Sequence, residues 1–262
     1  MTATTTATTS AASAVVSTQS RAWMRLPSGA HLDLIDPNPL AWQDADLATR
    51  LARTYRWGGE SAWPLPLSVA QHCLLVLQLR RQTSPVPLTV DDELLELLHD
   101  AEEGFLGFDC IAPLKPVLGP GFKAVADRLM QAVCSRYQLA PWTADGHALH
   151  KVADVGAAAA EAVYIVGWTA AEVRAVLGIE APVVEFDPLV ARYGGQVWAP
   201  WPADLAAARF LEELQRLLAI RKGAPANIGP TSVPLRMSAP AGLGDNSLAR
   251  CESCVSGLVL RA

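Results

Sequence analysis

Four side chains carry the chemistry open to this sequence: His72, the adjacent pair His99 and Asp100, and Asp154. Two imidazoles and two carboxylates make a mixed nitrogen–oxygen donor set. Such a set suits a divalent ion with open water positions, drawn from Co, Mn, Fe, Ni, Zn or Mg. An ion of that kind makes water a nucleophile near neutral pH. Each residue also has a plainer reading when taken singly. His72 shares a helical face with Val69 and Val76 and could be a satisfied core histidine. Asp154 precedes Ala157 and Ala158 and could be an exposed acid on an alanine-rich helix; if buried it needs a partner or a metal, and none is supplied locally. On a continuous helix His99 and Asp100 diverge by about 100°, so they reach one ion only if it sits between helices. Glu103 falls on the face shared by His99 and Asp100.

The elements that must position these residues read as helices. "DADLATRLARTYR" is amphipathic, and "SVAQHCLLVLQLRR" follows a Pro-rich loop with Ser68 as its N-cap. "VDDELLELLHDAEEGF" starts with acids suited to a helix N-terminus and runs as one helix to near Gly107. "PGFKAVADRLMQAVCSRYQL", "TADGHALHKVADVGAAAAEAVYIVG" and "PADLAAARFLEELQRLLAIRK" complete the set. "HLDLID" and "PVVEFDP" are too short to build a sheet, so the expected fold is a compact, single-domain all-α bundle.

The chain has 262 residues, 51% of them hydrophobic, enough for one sizeable core. Its net charge of −5, without a basic block, argues against nucleic-acid binding. Five cysteines at irregular spacing do not form a disulfide framework, which favours a reducing compartment. Cys251 and Cys254 make one C-x-x-C with no second pair nearby, short of the four ligands of a closed zinc site. Residues 1–20, rich in Thr and Ala, carry no secretory signal and are expected to be a disordered tail, as is the Pro/Gly/Ser-rich stretch 223–262. The domain is expected over 21–222, with no membrane span and a cytoplasmic location.

The order His72, His99-Asp100, Asp154 resembles the metal signature of the HD-domain phosphohydrolases. Neighbouring text fits it: "RWGG" precedes "LSVAQH", "LLHDAEEGFLG" leads into "PLK", and "KVAD" is followed by "EA". The resemblance spans about Pro27 to Leu218 and looks closest to single-domain 5′-deoxynucleotidases and phage-type deoxyadenosine triphosphate hydrolases. It implies a helical bundle of the HD type with His72, His99, Asp100 and Asp154 on the metal. It further implies Arg56 on the substrate phosphate, Trp57 near the sugar, Glu103 as a catalytic carboxylate and Lys115 offsetting phosphate charge. The family pattern has Leu-Gly-Asp before Pro-Leu-Lys, whereas here "LGFDCIAPLK" inserts Phe108. Asp109 then stands where a second acid is expected, with a displaced side chain.

The expected activity is metal-dependent hydrolysis of a small deoxynucleotide. A monophosphate would give nucleoside and phosphate; a triphosphate cut at its α-phosphate would give nucleoside and tripolyphosphate. The alternative is a non-catalytic module that binds a nucleotide or a partner on the same scaffold. A homo-oligomer is left open.

Overall fold

Two short strands lead into a run of helices in the computed structural model, which describes residues 22–223. The readings of the two tails, and of Cys251 and Cys254, fall outside the described residues. Strand β1 (Trp23–Arg25) pairs antiparallel with β2 (His31–Asp33), Met24 facing Leu32. "HLDLID" therefore does supply a strand, against expectation. The hairpin survives because it is docked: Leu32 is fully buried, and the Ser28 amide and hydroxyl donate to Asp46 at 2.7 and 2.8 Å. An isolated two-stranded ribbon would be marginal.

The rest is helical, as the periodicity predicts. Helix α1 (Asp44–Ala52) is followed by a tight 3-10 turn at Arg56–Gly59, then α2 (Val69–Thr83), α3 (Val90–Leu97) and α4 (Ala101–Leu106). Next come α5 (Lys115–Tyr137) and α6 (Ala144–Glu161), the latter running into a wide π-type turn at Ala162–Val166. Helices α7 (Ala170–Leu177), α8 (Pro188–Tyr193) and α9 (Ala203–Arg221) close the described chain. Helix α2 is the axis of the bundle. Every residue from Val69 to Arg80 is buried, and α1, α3, α6, α8 and α9 all pack on it. Ser68 caps it as expected, its hydroxyl accepting the Gln71 amide at 3.2 Å. Among the described residues, no helix is long and apolar enough to cross a membrane.

One helix reading is corrected. "VDDELLELLHDAEEGF" is not continuous: α3 stops at Leu97 and α4 starts at Ala101. In an unbroken helix the Glu96 carbonyl would receive the Asp100 amide. Here it receives His99 Nδ1 at 2.8 Å, and the Ala101 amide bonds the Leu98 carbonyl at 3.1 Å in place of Leu97. The fully buried Leu94, Leu97, Leu98, Ala101 and Phe105 span the break, so both halves serve one core. Helix α5 likewise starts five residues earlier than its motif suggests. It bends at Gly119, whose φ of 80° only glycine adopts without strain.

Helix α4 lies hard against α1. A Cβ added at Gly104 would stand 3.0 Å from Leu51 Cγ and 3.2 Å from the Leu51 backbone nitrogen. Backbone cannot yield as a side-chain tip can, so Gly104→Ala is expected to cost about 1–3 kcal/mol. Urea unfolding checks this; an unchanged midpoint would mean the two helices have room to spare.

Candidate metal centre

The helix break and the central helix bring two histidines together. His72 is fully buried on α2, facing inward as its spacing predicts. Its Nδ1 lies 2.6 Å from Glu161 Oε1, and the His99 Nδ1 is spent on the Glu96 carbonyl. With both Nδ1 positions engaged, the two Nε2 atoms face each other at 3.3 Å. Asp100 Oδ2 stands 3.1 Å from His99 Nε2 and 3.6 Å from His72 Nε2. Ligand atoms of His72, His99 and Asp100 all lie within 4.8 Å of one another, and this cluster can hold a metal ion. The spacing fits: bonds of about 2.1 Å at tetrahedral or octahedral angles put neighbouring donors about 3.0–3.5 Å apart.

Asp154 joins at one edge. Its Oδ1 is 3.4 Å from His72 Nε2, while Oδ2 takes the Lys151 ammonium at 2.9 Å. The expectation of no local partner is therefore corrected: Lys151, one turn earlier, supplies one. Charge at the centre is strongly polarised. Burial and Arg56 disfavour a charged His72, yet Glu161 and Asp154 outweigh them and push its pKa up to about 9. Burial also opposes ionisation of Asp100 and Asp154, but the histidines hold both carboxyls well below the usual range. The pocket is built to hold positive charge.

A second group of acids lines the far side of Asp100. Glu102 and Glu103 bring carboxylate oxygens within 4.8 Å of it and of each other. Glu103 is buried; Oε1 lies 3.5 Å from Lys115 Nζ, and Oε2 has no hydrogen-bond partner. Burial first, then Asp100, Asp109 and Glu102, push Glu103 up to about 10. Burial and Asp100 push Glu102 up to about 7. These acids end a cleft of about 570 Å³ whose other walls include Lys115, Pro116, Phe122 and Lys123. The cleft is of small-molecule size.

Arg56 is half-buried beside the histidines. Its Nε donates to Glu161 at 2.9 Å, and its Nη1 lies 3.8 Å from Asp100 and 3.6 Å from Asp109. Trp57, at a left-handed φ of 57°, donates its indole N–H to the same Glu161 at 3.1 Å. The indole packs toward Ala159, Ala162 and Val173. The Phe108 insertion does not carry Asp109 away from the site, as the sequence suggests. Gly107 ends α4 at φ 82°, Phe108 swings out against Phe122 with ring centres 5.9 Å apart, and Asp109 turns in to Arg56.

Three residues here escape the sequence reading. Glu161 is one. Glu96 and His150 are the others: the buried Glu96 carboxylate takes Arg80 Nε at 2.6 Å and His150 Nδ1 at 2.8 Å, directly behind His99. A signal existed for Glu161, which stands two helical turns after Asp154 on the same face, within the quoted "EA". None existed for Glu96, one acid among several on its helix.

No family model matches the chain. An uncharacterized protein of Rhodobacter capsulatus is similar, with 39% identity over 165 residues that make up 63% of this chain and 83% of the relative. At that identity, over that share of the relative, the chain belongs to the same family as the R. capsulatus protein.

Proposed function

We propose that the protein is a divalent-metal-dependent phosphohydrolase of the HD-domain kind, acting on small deoxynucleotides. The observation that carries this reading is the pair of histidine Nε2 atoms 3.3 Å apart, with Asp100 and Asp154 against them and Arg56 alongside. The motif resemblance points the same way. The mixed donors favour Mn, Fe, Co, Ni or Zn over purely oxygen-liking ions. A divalent ion there supplies Lewis acidity toward a phosphoryl oxygen and water. The chain's own residues do the rest. Arg56 offers its guanidinium end to phosphate oxygens, and Lys115 adds charge at the mouth of the cleft. Trp57 borders the sugar. Glu103, buried and aimed along the cleft, carries the proton.

Incubating the purified chain with deoxynucleoside mono- and triphosphates plus Mn or Co, and identifying the products, tests this. Phosphate from monophosphates, or tripolyphosphate from triphosphates, is the expected outcome. No turnover on any member of the panel with metal bound would defeat the reading.

Glu103 and Asp109 should separate kinetically. Glu103→Ala is expected to keep the metal and lower kcat by about 100-fold or more, the usual scale for a positioned acid or base. Asp109→Ala, which frees one end of Arg56, is expected to act mainly on KM. Metal analysis beside steady-state kinetics checks both. An inactive, metal-loaded Asp109→Ala with a near-normal Glu103→Ala would invert the assignment.

A further inference from the structure

Glu161 is fully buried where α6 meets the wide turn, a break of the kind often found at functional sites. It accepts three side-chain donors. His72 Nδ1 meets Oε1 at 2.6 Å, while Arg56 Nε and Trp57 Nε1 meet Oε2 at 2.9 and 3.1 Å. An ionised carboxylate only accepts. The His72 nitrogen facing it must therefore carry a ring proton, which makes Nε2, facing His99, the nitrogen that an ion would take by displacing its proton. The same acid holds Arg56 by its Nε and so aims the guanidinium end at Asp100 and Asp109.

We infer that Glu161 is the positioning residue of this site: one buried carboxylate that sets His72 as an Nε2 donor to the ion and holds Arg56 for phosphate. The inference rests on the metal-dependent reading given above. It requires a carboxylate and not merely an acceptor, because three donors share two oxygens. Glutamine has one oxygen and an NH2 group. With its oxygen toward His72, the NH2 faces the Arg56 and Trp57 donors. Turned over, the NH2 faces His72 Nδ1 and drives the ring proton to Nε2, where the ion should bind. Either orientation spoils one half of the arrangement.

The test compares the full-length wild type with Glu161→Gln by Co(II) titration, followed through visible absorption, beside thermal melting and kinetics. Partners behind a metal-binding histidine usually contribute about 10- to 100-fold in affinity. Glu161→Gln is expected to weaken Co(II) binding by that factor, change the Co(II) bands and raise KM. A purely structural acid would lower the melting temperature and leave the Co(II) affinity and bands of the folded variant untouched; that result overturns the inference. A second measurement does not depend on the variant folding. In Zn(II)-loaded wild type, nitrogen-resolved NMR of the His72 ring should place a slowly exchanging proton on Nδ1; a proton on Nε2 overturns it. A wild type that binds no Co(II) removes the metal centre itself and this inference with it. Unchanged binding in Glu161→Gln, beside a wild type that does bind, removes the inference alone.

Discussion

His72→Ala is expected to abolish bound metal and hydrolysis together. His72 is the hub of the cluster: its Nε2 lies within 3.6 Å of His99, Asp100 and Asp154 donors alike. The neighbouring imidazole of His150 is committed to Glu96. Elemental analysis and turnover, measured on the same sample, should both fall to background. Asp154→Ala makes the sharper companion. Asp154 touches the cluster only at His72 and shares its carboxylate with Lys151. It is expected to lose metal and activity as well. Full occupancy and turnover in that variant would mean that His72, His99 and Asp100 suffice, and that Asp154 serves the surface pair with Lys151.

The second large effect is on stability. Glu96→Ala is expected to destabilise the protein by about 3–5 kcal/mol, the usual result of removing one partner from a buried charge pair. Arg80 and His150 are both buried, and both lose their carboxylate. Domain stabilities of about 5–15 kcal/mol leave little margin for such a loss. Denaturant unfolding of the metal-free protein measures it without contribution from a bound ion. A loss below about 1 kcal/mol would mean that water reaches Arg80 and replaces the acid. The prediction matters for the site because the Glu96 carboxylate holds His150, whose ring packs 4.7 Å from the His99 ring. A variant that stays folded should also bind metal more weakly.

Much of this arrangement was legible in local pattern. Ser68 before an apolar run marks the start of α2, and the valines three before and four after His72 turn it inward; both hold in the structure. The long apolar periodicities give the helices, and the ordered histidine and aspartate motifs name residues that the structure gathers around His72. Asp109 was harder. Counting along the chain places it, but only the left-handed Gly107 and the outward swing of Phe108 turn it to Arg56.

By itself, the sequence determined a helical core and a short set of residues able to bind a cation, because helix faces and caps depend on neighbours within about four positions. Tertiary structure decided the rest. Between α3 and α4 the Glu96 carbonyl is taken by a histidine ring, and the Ala101 and Glu103 amides bond Leu98 and Asp100 in place of Leu97 and His99. The hairpin exists because Asp46, 18 residues on, receives Ser28. Glu161 meets His72 across 89 residues and Arg56 across 105. No periodicity encodes such pairings. They form because burying a carboxylate is costly without donors, and packing α6 on α2 brings these donors within reach.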